Sequence, residues 1–338
     1  MTNDALLTLF MAGMAAFAVG MYVVLDGFDL GLGILFPFAD DHGQRDQMMN
    51  SIAPFWDGNE TWLVFGGAIL LSAFPLAFSV IMPAVYLPVI VMLLGLIFRG
   101  VAFEFRFKHH PRTRIWDLAF CGGSVIATFA QGVVLGTFVQ GIRVEGGRYA
   151  GGPWDWLTAF SVMTAVALLC GYALLGNTWL FWGSRGALQE KARAWMPVLL
   201  VALLCASAAV SVWTPLMSAG IAARWFDFPR SLVFAPVPLL TAWCAWSAYR
   251  AVKQAPSTRP FWFCVSLFFL SYSGLAISIF PHLPPPSLSL FDAAASPASQ
   301  HFLLPGLLVL VPLILAHTWF NYRVFHVQGD ADEGYGHE

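Results

Sequence analysis

The sequence predicts an all-α integral membrane protein of about nine transmembrane helices, arranged as two four-helix bundles plus a peripheral helix. Three observations lead there. The chain is 58% apolar and only 11% charged, where soluble domains carry roughly 25% charged residues. Successive windows are long and apolar enough to cross a bilayer, which takes about 20 residues. Basic residues collect in alternate connections between those windows.

The first window, 6–37, follows an acidic Met1-Thr2-Asn3-Asp4 start that lacks the basic region of a secretory signal, so it is read as a retained helix. It is long enough to extend past the hydrocarbon into the interface. Arg45 lies in the connection to the second window, 60–80. A short break near Pro83 separates that window from the third, 84–105; were the chain to run through it, the count would be eight. Arg106, Lys108, Arg112 and Arg114 precede the fourth window, 116–140. A Gly-rich stretch, 141–155, leads to the fifth, 156–182, and Arg185, Lys191 and Arg193 to the sixth, 195–218. Arg224 and Arg230 come before the seventh, 231–251, and Arg250, Lys253 and Arg259 before the eighth, 261–281. A connection rich in Pro, Ser and Ala, 282–302, leads to the ninth, 303–325.

The basic residues between odd-numbered windows and their successors, with Arg323, outnumber those on the other side, which are Arg143, Arg148, Arg224 and Arg230. The positive-inside rule then puts the N-terminus outside and the C-terminus in the cytoplasm. Agreement at every major loop favours nine spans over eight. Residues 1–327 read as a single polytopic domain and 328–338 as a polar, disordered cytoplasmic tail. The net charge of -2 gives no reason to expect nucleic acid as a partner. All five cysteines sit in apolar segments without metal-ligand spacing and read as small core residues.

Ionisable residues inside such segments cost at least a few kcal/mol unless paired or hydrated, which makes each a functional candidate. Asp26 and Asp29 share a face of the first helix, three residues apart. Asp57 and Glu60 stand where the second helix enters from the cytoplasm, in Trp56-Asp57-Gly58-Asn59-Glu60-Thr61-Trp62. Arg99 interrupts the third apolar run and is followed by Glu104. The topology gathers all of them in the inner half of the membrane. Asp26, Asp29, Arg99 and Glu104 suit a structural ion pair or a polar cluster at a subunit interface. Asp57, Glu60 and Asp29 suit a proton path, with Asp57 and Glu60 at its aqueous entrance.

The glycines near Asp29 lack the strand and spacing of a nucleotide loop. Gly27 and Gly31, like Gly132 and Gly136, fit close helix packing instead. His317, the one histidine well inside an apolar segment, reads as a packing residue. On these residues alone, a proton- or cation-coupled secondary transporter and a purely structural assembly subunit both stay open.

Three blocks narrow the choice: Asp26-Gly27-Phe28-Asp29-Leu30-Gly31, Asn50 to Leu63 around Trp56-Asp57-Gly58-Asn59-Glu60, and Leu96 to Arg106 around Phe98-Arg99-Gly100. Together they resemble subunit II of the cytochrome bd quinol oxidases, strongly over residues 15–110, and the short chain resembles the cyanide-insensitive branch. The resemblance implies a terminal oxidase of the bacterial inner membrane that oxidises quinol and reduces oxygen to water. It implies a contribution to proton motive force by cytoplasmic proton uptake, without pumping. No haem would be ligated by this chain. Two b-type haems and one d-type (or a third b-type) haem would belong to subunit I. The implied partners are subunit I, a small single-helix accessory subunit, membrane lipid and quinone. Asp29, Asp57 and Arg99 match the family's polar positions.

Overall fold

The computed structural model describes residues 3–108 and 113–324, so the tail expected at 328–338 lies outside the described residues. Its helices are α1 (Asn3–Leu35), α2 (His42–Asn50), α3 (Trp56–Ala73), α4 (Pro75–Lys108), α5 (Thr113–Gln140), α6 (Ala159–Gly183), α7 (Gly186–Met217), α8 (Ala219–Phe226), α9 (Arg230–Phe234), α10 (Pro236–Val252), α11 (Arg259–Ile279), α12 (Leu290–Ala293) and α13 (Pro297–Val324). A two-stranded antiparallel hairpin, β1 (Val144–Glu145) and β2 (Arg148–Tyr149), occupies the Gly-rich connection.

Among the described residues, eight helices are long and apolar enough to cross a membrane. The ninth long helix, α3, has 18 residues; its rise of about 27 Å falls just short of a hydrocarbon core of about 30 Å. Its first turns carry Asp57 and Glu60, which is why composition alone ranks it below the others.

The break expected near Pro83 is present as a kink inside α4, and a further break precedes it. The chain leaves helical geometry at Phe74 (φ -133°, ψ 57°) and resumes at Pro75. Proline disfavours the helical conformation of the residue before it and is well suited to the first helical position. Pro83 and Pro88 lie inside α4, and two residues after Pro83 the chain leaves helical geometry at Val85 (φ -124°, ψ 15°), a kink that divides α4. Arg106, read from sequence as a loop charge, is therefore part of α4. The helices also reach beyond their apolar windows. α7 begins at Gly186 rather than 195, because a polar first turn can be helical outside the hydrocarbon. α6 begins only at Ala159, where Thr158 and Ser161 form a capping box.

The first four long helices (α1, α3, α4, α5) pack as one group and the next four (α6, α7, α10, α11) as a second, with α13 against α1 and α3. α6 joins the groups by packing on α1 and α5. Small residues make those seams tight. A Cβ built on Gly31 would lie 1.9 Å from the Tyr172 carbonyl oxygen, and one on Gly132 2.3 Å from the Ala165 Cα. One on Gly136 would lie 2.5 Å from the Ser161 Cα. Nothing larger than hydrogen fits, so the backbones of α1 and α5 touch α6 directly.

Candidate functional site

The C-terminal half of α1, the first two turns of α3 and the C-terminal part of α4 meet at one end of the first group. Helical periodicity divides the α3 motif among three directions. Asn59 turns into the bundle and is 1% exposed; Glu60, one residue on, is half-buried towards α4; Asp57 is exposed on the outer side. Asp57 also sits in the first turn of α3, where the helix dipole favours a negative charge.

Arg99 is fully buried and fixes the arrangement. Its Nη1 donates to Asp26 Oδ1 at 2.7 Å and its Nη2 to Glu60 Oε1 at 2.5 Å. The side chain of Asp26 is 0% exposed and that of Glu60 26%, so the guanidinium joins a dry acid on α1 to a wetter one on α3. Asp29 is held differently: Asn59 Nδ2 donates to its Oδ2 at 2.8 Å and to the Leu25 carbonyl at 3.2 Å. Tyr322 of α13 donates to Asn59 Oδ1 at 3.2 Å and stacks on Phe55, with 4.3 Å between ring centroids. Asp26 Oδ2, Asp29 Oδ1 and Arg99 Nε make no hydrogen bond. Two carboxyl groups thus contact one guanidinium and a third is tied in through Asn59, an excess of acid over base that suits a cluster through which protons are exchanged.

The structure therefore brings together Asp26, Glu60 and Arg99 by direct ion pairs and adds Asp29 through Asn59. Glu104 does not join them: it is exposed, five residues beyond Arg99 on α4, roughly 140° around the helix at 3.6 residues per turn. Asp57 is one turn from Glu60 on the outer face and makes no direct contact with Arg99. His317 is exposed on α13, with its Nε2 3.5 Å from Asn321 Nδ2. Cys205 is likewise exposed rather than in the core.

Sequence reading missed four contributors. Asn59 and Tyr322 tie Asp29 to two helices; Asn59 was within the polar motif, but a neutral amide carries no cost signal comparable to a charge. Arg106 and Asp117 belong to a second ion-pair cluster at the same end of the bundle. Arg106, 2% exposed, donates from Nε to Asp117 Oδ1 at 2.6 Å and from Nη1 to Asp46. Arg45 reaches Asp117 at 3.7 Å, and the Arg106 guanidinium lies 5.5 Å from the Phe36 ring centre. Close by, on the exposed connection after α1, the Lys191 ammonium hydrogen-bonds to Asp40 and holds its carboxyl below the usual range. Among the described residues no group of three or more His, Cys, Asp or Glu is placed to hold a metal ion.

The family model described as cytochrome bd terminal oxidase subunit II matches residues 7–325. The chain is 28% identical to the cytochrome bd ubiquinol oxidase subunit 2 of Bacillus subtilis, an alignment covering 92% of this chain and 93% of that one. It is 27% identical to the cytochrome bd-I ubiquinol oxidase subunit 2 of Escherichia coli K12, over 90% of each. The fold resembles a chain of the bd oxidase from Geobacillus thermodenitrificans, with a TM-score of 0.77 at 14% sequence identity, covering 94% of this chain and 98% of that one.

Proposed function

The chain belongs to the cytochrome bd terminal oxidase subunit II family, and on that premise we propose that it is the haem-free half of a quinol oxidase, supporting subunit I and shaping proton access to it. It is a multi-pass membrane subunit of a respiratory oxidase complex. In the proposed reading the complex oxidises quinol and reduces oxygen to water, contributing to proton motive force by taking protons from the cytoplasm. The partner is subunit I, with a single-helix accessory subunit as a further one. The N-terminus lies outside and the C-terminus in the cytoplasm. Family membership removes the motive for a secondary transporter.

The haems are assigned to subunit I. When bound they supply the electron transfer and oxygen chemistry of the complex. Haem iron takes axial ligands such as histidine, and among the described residues His42, His301 and His317 are exposed and His282 is half-buried. This supports a division of labour in which this chain's own residues handle protons and packing.

The observation that carries the proton reading is the Arg99 cluster with its graded exposure. Asp57 is exposed at the mouth, Glu60 is one turn inside and a quarter exposed, and Asp26 is dry. Asp57 exchanges protons with the cytoplasm, and Glu60 shares Arg99 with Asp26, so a proton arriving at Glu60 is exchanged against an ion-pair partner rather than lost into hydrocarbon. Asp29, held by Asn59, lies behind them as a further member of the path. Asp57→Asn keeps size and hydrogen bonding while removing the proton. It should slow quinol-dependent oxygen consumption in the assembled complex with haem content unchanged. Wild-type turnover across the pH range in a fully haem-loaded variant would make Asp57 a structural residue.

A further inference from the structure

A separate hydrogen-bonded group lies next to the Arg99 cluster in the middle of the bundle, where the proposed proton path does not use it. Gln131 of α5 donates from Nε2 to the Tyr22 hydroxyl of α1 at 2.7 Å. Its Oε1 accepts from the Tyr172 hydroxyl of α6 at 2.9 Å. Tyr22 and Tyr172 are both buried, so one amide joins three helices from both four-helix groups. Each hydroxyl has a single proton. That of Tyr172 is used on Gln131. The Tyr22 oxygen accepts from the amide, so its own proton is left for another acceptor. Asp26 is one turn further along α1, on the same helical face, and its Oδ2 is buried without a hydrogen-bond partner.

We propose that Gln131 is a positioning residue for the proton-handling cluster: its amide sets the Tyr22 hydroxyl so that the hydroxyl proton is directed at Asp26, and Asp26 in turn holds the guanidinium that Glu60 shares. This rests on the reading of Asp57 and Glu60 given above. A primary amide suits the place because it offers a donor and an acceptor at once and takes up no proton itself. The group therefore orients its neighbours without conducting protons into the second bundle. A carboxylate there would accept from both tyrosines and turn Tyr22 away from Asp26. Leucine would leave the Tyr172 hydroxyl buried without its acceptor and take away the donor that sets Tyr22, and an unsatisfied buried group costs more than the bond itself contributes.

The ionisable groups bearing on Asp26 are Tyr22 and Asp29 on α1, Glu60 on α3, Arg99 on α4, Tyr172 on α6 and Tyr322 on α13. A pH profile of turnover reports them as a set.

The test uses the purified native complex, normalised to haem, and compares Gln131→Leu, Gln131→Glu, Tyr22→Phe and the double variant Tyr22→Phe/Gln131→Leu. Each single variant should slow turnover about fivefold and shift its pH profile by about half a unit or more, the scale of one lost buried hydrogen bond. The double variant should be no worse than its worse parent, because both changes remove one shared contact. Should Gln131→Leu fail to assemble, Gln131→Glu, which keeps the size, and Tyr22→Phe carry the comparison. An unshifted profile in haem-loaded Gln131 variants, or strictly additive defects, overturns the proposal. Asp57→Asn measured alongside separates the two readings. If it alone is silent, the entrance is elsewhere and the positioning role stands; if it alone is slow, the positioning role falls.

Discussion

Replacing Arg99 by leucine leaves Asp26 fully buried with no counter-charge, because the guanidinium is its only ion-pair partner among the described residues. Breaking a buried pair from one side costs about 3–5 kcal/mol, against a total stability that is typically about 5–15 kcal/mol for a domain. Glu60 adds less to the loss, since its side chain is 26% exposed and can draw on water. A second change, Asp26→Asn, removes the stranded charge, and what remains is the loss of hydrogen bonds worth about 1 kcal/mol each. Arg99→Leu should therefore assemble poorly and lose haem from the complex, and Arg99→Leu/Asp26→Asn should recover most of that yield. Asp29→Asn serves as the internal control, because Asp29 is bound to Asn59 rather than to Arg99. The assay is haem-to-protein ratio and thermal loss of the haem spectrum in purified complex. Additive defects for Arg99→Leu/Asp26→Asn, or equal rescue by Asp29→Asn, would refute the pairing argument.

Other expectations follow from the same geometry. Gly31→Ala, whose new methyl would stand 1.9 Å from the Tyr172 carbonyl oxygen, should sharply lower the yield of complex. Gly13→Ala, with nothing within 4 Å, should leave it unchanged, so similar yields for the two would argue against backbone contact at the seam. Reporter fusions after residues 188 and 256 should read as cytoplasmic, and an external signal at either would reverse the orientation. The chain expressed without subunit I should show no Soret absorbance; stoichiometric haem on it would undo the assigned division of labour.

Helix number and the grouping of acids with Arg99 were legible in the sequence because charges in apolar runs carry a large and specific cost. The partner of Arg99 was not. Asp26, Asp29, Asp57 and Glu60 all lie within reach by depth, and only the rotation of α1 and α3 about their axes selects Asp26 and Glu60. Helix ends were misplaced where polar turns continue a helix beyond the hydrocarbon, as at Gly186, or where proline opens a helix instead of breaking one, as at Pro75. Gln131, Asn59 and Tyr322 were invisible for a different reason. Neutral groups acquire meaning only from the helix they face, and pairs as distant in sequence as Asn59 and Tyr322 leave no local pattern.

The Tyr322–Asn59 hydrogen bond and the Tyr322–Phe55 stack also bear on how the protein is made. The segments holding Asp26, Asp29, Asn59, Glu60 and Arg99 leave the ribosome early, while Tyr322 belongs to the last described helix. Until α13 is inserted, Asn59 lacks the Tyr322 hydroxyl and Phe55 lacks the Tyr322 ring. Chains truncated before Tyr322 should be recognised and degraded by membrane quality control even though nearly all of their apolar core is already in place.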